Sequence, residues 1–258
     1  MGILDAERRQ QIVALVDESS GLTVAELSAR FGVSPATIRR DLLQLSRRGL
    51  VERAHGGAAR RVRGEAGIPE PPLLTRAALN ADEKRRIGAA AAAHVRDGET
   101  ILISSGTTTA QMIPYLADRT RLTVITNALN IVLLLATCPH ITVIVLGGVL
   151  RHSELTLLGS LAEDALENLR ADKLFMGSPA IHIGYGISAE NLAESRSDQM
   201  LMSSSREVIV LADHSKFGRV ATVRVAPIKE LGRVITTRGL DLASIASLQE
   251  QGLVVELV

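Results

Sequence analysis

Two sets of residues in this 258-residue chain could do chemistry. The first is the run Ser104-Ser105-Gly106-Thr107-Thr108-Thr109, which follows an apolar stretch and opens a helical pattern. Small side chains leave backbone N–H groups open, and hydroxyls at a helix start lie near the positive end of its dipole, a cradle suited to an anion such as phosphate. An N-cap rich in hydroxyls would use the same residues. No Gly-Lys follows, so hydrolysis of a nucleoside triphosphate is not implied. The second set is Thr37, Arg39 and Arg40, followed by Arg47 and Arg48. Arginine donates two parallel hydrogen bonds to guanine and a threonine methyl can meet thymine, so this set suits the edges of DNA bases.

Each set needs a scaffold. Residues 5–19 (DAERRQQIVALVDES) place Ile12, Leu15 and Val16 at helical spacing. Thr23 caps a second short helix, Glu26 completes a capping box, and Val24, Leu27 and Phe31 form its buried side before Gly32 breaks it. A third helix opens with Ser34 as N-cap and Pro35 at the first helical position, where its missing amide costs nothing, and buries Ile38, Leu42 and Leu45. This is a helix-turn-helix. Its third helix keeps Ala36, Thr37, Arg39 and Arg40 open near the N-terminal end, where a recognition helix touches bases, and Arg47 and Arg48 nearer phosphates. LVERAHGGAARRVR (50–63) continues as a strand, a tight Gly56-Gly57 turn and a second basic strand, a wing in which Arg53, His55, Gly56 and Gly57 can approach the duplex. His55 reads equally as a turn residue.

The phosphate cradle needs a different scaffold. Residues 63–80 concentrate Pro69, Pro71 and Pro72 with Gly64 and Gly67 and show no period, which predicts a linker between a domain of residues 1–62 and one of 81–258. In the second domain short apolar strands are predicted at 99–104, 122–126, 141–146, 173–177, 207–212, 233–237 and the C-terminal LVVELV, with helices at 107–117, 128–136, 160–170, 191–204 and 241–251. Such alternation predicts an open, mostly parallel α/β sheet, in which ligands bind beyond the carboxyl ends of strands. The loops there carry Asn127, Gly147-Gly148 with Arg151 beyond, Gly177-Ser178 and Asp213-His214-Ser215-Lys216, a set that suits a small polyhydroxylated phosphate.

Composition narrows the classes further. With 46% hydrophobic and 22% charged residues the chain is globular, and its apolar runs fall short of the roughly 18 residues that cross a bilayer. One cysteine, Cys138, excludes an intrachain disulfide, and no signal peptide is read at the N-terminus, so a cytoplasmic protein is expected. The net charge of +1 hides an asymmetry: residues 1–63 hold 11 basic and 7 acidic side chains, and the remainder 18 and 21. Nine arginines between 30 and 63 against Asp41 and Glu52 form a basic block that counterion release from DNA rewards. Two Tyr, three Phe and no Trp argue against stacking on single-stranded bases, which leaves duplex DNA. The six histidines lack HExxH spacing and no GxSxG elbow is present, so no metal site, cofactor or catalytic residue is assigned.

The stretch TVAELSARFGVSPATIRRDLLQLSRRGLVERAHGGA resembles the winged helix-turn-helix of the DeoR family of bacterial transcription regulators, including its TIRRDL core and closing HGGA. SGTTT, VITN, LGG, ADKLFMG and VLADHSKFG resemble, in the family's order, the effector domain that follows. The resemblance implies a second domain of the sugar-phosphate isomerase and CoA-transferase type, and a repressor of a carbohydrate operon released from DNA by a phosphorylated sugar. It implies phosphate held by Ser105, Gly106, Thr107 and Thr108, and sugar near Asn127, Gly148 and Lys216; Ser104, Glu194 and Asp213 are further candidate effector-binding residues of the same pocket. Because one winged helix reads few base pairs, a homodimer or tetramer is expected.

Three positions depart from the family pattern: Ser104 stands where many members carry Asp, Ser178-Pro179-Ala180 follows the ADKLF strand, and near Glu194 a commonly basic position is Asp198. An acid and a base are thereby missing from one pocket. Two other functions fit parts of the chain. A sugar-phosphate isomerase carrying a DNA-binding module would need a carboxylate base beside the cradle, for which Asp213 and Glu194 are candidates. A ligand-independent DNA binder would keep the same DNA affinity whatever metabolite is added.

Overall fold

The computed structural model describes residues 5–18, 22–47, 52–54, 57–59 and 73–258. The chain forms two compact units, Met1–Pro71 and Pro72–Val258.

The first unit contains α1 (Asp5–Glu18), β1 (Leu22–Thr23), α2 (Val24–Phe31), α3 (Pro35–Arg47), β2 (Glu52–Ala54) and β3 (Gly57–Ala59). The capping box forms: Glu26 N donates to Thr23 Oγ1 at 3.2 Å, and Thr23 N donates to Glu26 Oε2 at 2.7 Å. Hydrogen bonds from the Thr23 amide and hydroxyl hold the Glu26 carboxyl below its ordinary value. Gly32 ends α2 at φ 65°, the left-handed conformation that a residue with a Cβ resists. Thr37 N donates to Ser34 Oγ at 3.2 Å, so Ser34 caps α3. Ile12, Val16, Leu27, Ile38, Leu42 and Leu45 are buried together, with Val24 and Phe31 partly buried around them.

Two features of this unit go beyond local pattern. Asp41 faces inward from α3 and accepts from Arg8 Nε at 2.7 Å and Arg9 Nε at 2.9 Å, an ionic clamp between α1 and α3. In the wing Ala54 pairs with Gly57, so Gly57 opens β3 instead of standing in the turn, and β3 also pairs with β1.

The second unit begins with α4 (Leu73–Arg76) and α5 (Ala81–Ala93), followed by β4 (Thr100–Ile103), a 3-10 helix (Thr109–Tyr115), β5 (Thr123–Thr126), α6 (Leu129–Leu135) and β6 (Thr142–Val145). Next come the hairpin β7 (Val149–Arg151) and β8 (Thr156–Leu158), α7 (Ser160–Glu167) and β9 (Ala171–Gly177). The rest is β10 (Ala180–His182), β11 (Gly186–Ala189), α8 (Leu192–Ser203), β12 (Ser205–Leu211), β13 (Val223–Ala226), β14 (Arg233–Thr236), α9 (Leu242–Glu250) and β15 (Val254–Leu257).

Seven strands make one parallel sheet in the order β15-β14-β12-β9-β4-β5-β6. Successive residues point to opposite faces: Leu102, Leu174, Met176, Val208 and Val210 join one core, and Ile101, Ile103, Phe175, Ile209 and Leu211 join the other. Both faces are therefore covered, which is why the strands read as continuous apolar runs. The chain adds β5 and β6 on one side of β4, then returns to place β9 on the other side and continues outward. The strand order reverses between β4 and β9, which makes their carboxyl ends a topological switch point.

The structure departs from the sequence expectation in three places. The segment expected as a helix over 107–117 is a seven-residue 3-10 helix containing Pro114. The linker expected over 63–80 ends earlier, because Leu73 is buried and residues 73–80 are bonded into the second unit. A three-stranded antiparallel sheet, β10-β11-β13, was not anticipated. Among the described residues no helix is long and apolar enough to cross a membrane.

Candidate effector site and DNA-reading face

The loop 104–108 follows β4 at the switch point. The Ser104 amide donates to the Phe175 carbonyl of β9 at 3.0 Å, and Thr109 Oγ1 donates to the Ser104 carbonyl at 3.0 Å, which pins the loop at both ends. Thr107 and Thr108 are each 8% exposed, and no hydrogen bond among the described residues uses their hydroxyls or the amides of residues 105–108. The helix behind the loop is a short 3-10 turn, so an anion here would meet these amides and hydroxyls more than a helix dipole. Ser104 is buried, and its hydroxyl faces the Ser105 carbonyl.

The structure brings several predicted residues to this edge. Asn127, buried at the end of β5, donates from Nδ2 to Ser197 Oγ at 3.2 Å and to the Leu157 carbonyl at 3.4 Å, and its Oδ1 has no partner. Asn130, one turn on, donates to the Gly106 carbonyl at 3.4 Å. Arg151 Nε donates to Ser153 Oγ and lies 2.8 Å from Glu194 Oε1, an ion pair outside hydrogen-bond geometry. Gly148 serves packing: at φ 133°, an added Cβ would stand 2.5 Å from the Leu158 carbonyl oxygen, so only glycine lets β7 fold against β8.

Asp213 caps the turn after β12. Burial pushes its carboxyl up, but Ser215, Lys216 and Asn80 together hold it below its ordinary value. Its Oδ1 accepts from the Ser215 amide at 3.0 Å and from Asn80 Nδ2 at 3.2 Å. Beside it Glu83 Oε2 accepts from Thr237 Oγ1 at 2.6 Å and lies 2.9 Å from His214 Nδ1. Glu83, Asp213 and His214 are close enough to share a cation, but their facing atoms are already joined in this hydrogen-bonded lock.

Asp198 lies one turn after Glu194. It is partly accessible by surface yet deeply set in the protein, and burial together with the Glu194 carboxylate pushes it up to about 8. Ser178 bonds the Ala180 carbonyl at 2.9 Å, closing the turn around Pro179.

Sequence reasoning missed the segment that fastens this edge. The Leu73 amide donates to the Ser153 carbonyl, Arg76 pairs with Glu154, Lys84 Nζ donates to the Arg76 carbonyl, and Ser105 Oγ donates to the Glu154 carbonyl at 2.7 Å. Thr156, Asn130 and Ser197 were missed as well, and nothing in the sequence around them marks them as part of this edge. Two grooves of about 550 and 510 Å³ lie elsewhere, along β13 and the outer side of α8.

In the first unit Ser34, Pro35, Ala36, Arg39 and Arg40 are exposed on α3, Thr37 is partly so, and Thr23 is exposed at the start of α2. Arg47 closes α3, and Arg53 and Gly57 lie on the paired wing strands. Arg48, His55 and Gly56 lie outside the described residues.

Against known families, residues 8–62 match the DeoR-like helix-turn-helix domain and residues 79–238 the DeoR C terminal sensor domain. The chain belongs to the DeoR family. As a DeoR-family protein it is a transcriptional regulator and not an enzyme. It is 31% identical to a putative aga operon transcriptional repressor of Escherichia coli O157:H7 over 98% of this chain and 94% of that one. To the HTH-type transcriptional regulator YulB of Bacillus subtilis it is 34% identical, over 96% and 95%. To the glycerol-3-phosphate regulon repressor of Escherichia coli K12 it is 32% identical, over 89% and 90%. Among solved structures it resembles ribose 5-phosphate isomerase A of Methanocaldococcus jannaschii, with a TM-score of 0.40 and 20% identity over 54% and 55% of the two chains.

Proposed function

We propose that this DeoR-family regulator is a repressor that holds duplex operator DNA through α3 and the wing, and that a small phosphorylated sugar or sugar-derived metabolite releases it. The observation that carries the effector half is the loop 104–108, with its uncommitted amides and Thr107 and Thr108 hydroxyls at the switch point. Amides and hydroxyls converging there would hold the phosphate, with Ser104, Asn127, Glu194, Asp213 and Lys216 around the remainder of the ligand. Gly148 would contribute by shaping the hairpin. That one relative is named for a glycerol-3-phosphate regulon and another for the aga operon supports this class of effector.

The DNA half rests on the exposed Arg39 and Arg40 and the partly exposed Thr37 next to a firmly capped helix start. Two copies of the chain, as a dimer or tetramer, would present paired helices to paired half-sites.

The test is the melting temperature of the full-length protein against sugar phosphates and their unphosphorylated counterparts. A ligand at about 100 times its dissociation constant adds roughly 2.7 kcal/mol to the folded state. A shift confined to phosphates and abolished by Thr107→Ala with Thr108→Ala supports the reading. Equal shifts with the unphosphorylated sugars refute it.

A further inference from the structure

The inner face of α8 carries Glu194, Ser197, Asp198 and Leu201, spaced as one helical stripe, and it meets the edge of the sheet where the phosphate cradle lies. Ser197 touches Asn127 there, and Asn127 is tied to β8, because the Leu157 amide donates to its carbonyl at 2.8 Å and Thr156 bridges its neighbour Ala128. Asn130 links the same corner to the Gly106 carbonyl of the cradle. The corner is therefore continuous with the cradle.

Its hydrogen-bonding inventory is one-sided. Asn127 is 3% exposed and Thr156 is 5% exposed, yet Asn127 Oδ1 and Thr156 Oγ1 have no partner, and neither does Asn130 Oδ1. Asp198 has no hydrogen-bond donor or cation partner among the described residues, and its nearest charged influence is the like charge of Glu194. Arg151 pairs with Glu194 at this corner. Two carboxyl groups, Glu194 and Asp198, thus stand on the stretch of α8 that meets this corner. Unpartnered buried acceptors are costly and call for donors. A carboxylate next to a bound phosphate needs a positive charge between them, or it must take up a proton to escape the repulsion.

We propose that Asp198, with Asn127 and Thr156, selects an effector that carries a protonated amino group as well as its phosphate. This deepens the phosphate-effector reading and rests on it. The phosphate occupies the loop 104–108, and the ammonium lies toward α8, donating to the Asp198 carboxylate and to the open acceptors Asn127 Oδ1 and Thr156 Oγ1. A hydroxyl can donate only one proton, whereas an ammonium donates three and neutralises the carboxylate. Burial and Glu194 push the Asp198 carboxyl up to about 8, as happens where no cation is in reach, and an ammonium supplies that cation.

The test is calorimetric titration of the full-length protein with two matched pairs, glucosamine 6-phosphate against glucose 6-phosphate and O-phosphoethanolamine against 2-hydroxyethyl phosphate, with inorganic phosphate as reference. The expected result is binding about tenfold or more tighter for the amine in at least one pair, the effect of a charged hydrogen bond, with the preference erased in Asp198→Asn. The comparison within each pair is made on the wild-type protein and does not depend on the variant folding. Binding of the phosphates with no amine preference in either pair overturns the inference and leaves the phosphate reading standing. No binding of any probe, inorganic phosphate included, overturns both.

Discussion

The stability of Asp198→Asn relative to wild type should rise steadily from pH 5 to pH 8. The carboxyl stands at about 8 in the folded protein against an ordinary value of 3.8. Between these values the folded protein keeps a proton that the unfolded chain has released, so the wild type loses stability as pH rises through that window. At about 1.36 kcal/mol per pH unit the ceiling is roughly 5 kcal/mol. Water reaches the partly accessible side chain, which brings the expected effect to about 1 to 3 kcal/mol. Urea unfolding of wild type and Asp198→Asn at pH 5, 6.5 and 8 measures it. Whatever the new amide costs is the same at each pH, so the readout is the growth of the difference between the two proteins. A difference that stays constant from pH 5 to 8 refutes the reasoning.

Three further perturbations have defined outcomes. Gly148→Ala drives a Cβ to 2.5 Å from the Leu158 carbonyl at a left-handed φ, and should cost about 2 kcal/mol or more by thermal unfolding; a loss below about 0.5 kcal/mol would contradict the packing described. Asp41→Ala deprives the buried Arg8 of its carboxylate and should destabilise the first unit by about 3 kcal/mol, seen as early protease cleavage within it, while the second unit keeps its melting temperature. Arg39→Ala should weaken binding to an operator selected from random duplexes by about 1 to 3 kcal/mol, and binding to unselected DNA by less; equal losses on both would assign Arg39 to phosphates.

Local signals carried far in the sequence. The Thr23 and Glu26 box, the Ser34-Pro35 start and the apolar spacing of Ile38, Leu42 and Leu45 are short-range features, and the structure forms each one. The seven strands of the main sheet were legible because burial on both faces leaves uninterrupted apolar runs. Long-range pairing was not legible. β11 joins β13 across α8 and β12, and Asp41 meets Arg8 and Arg9 from a different helix, and no period within either segment records the partner. The segment expected as a helix after the cradle is a 3-10 turn with Pro114 inside it, whose ring would crowd the carbonyl four residues back in an α-helix. Ser104, Asn127 and Asp213 were legible as residues that follow strands, and the structure places them there. Thr156 and Asn130 were not, because a single polar residue beside a hairpin or on a short helix has no distinguishing pattern.

The reversal of strand order has a consequence in time. β4, β5 and β6 pair in the order in which they leave the ribosome, each with its predecessor. The other edge of β4 stays open until β9 arrives, with Ile101 opposite Lys173, and closing so long a loop is slow compared with the local pairings. Ser104 cannot make its bond to Phe175 before that moment. The loop 104–108 is thus encoded early and completed late, at the seam where the two halves of the sheet meet.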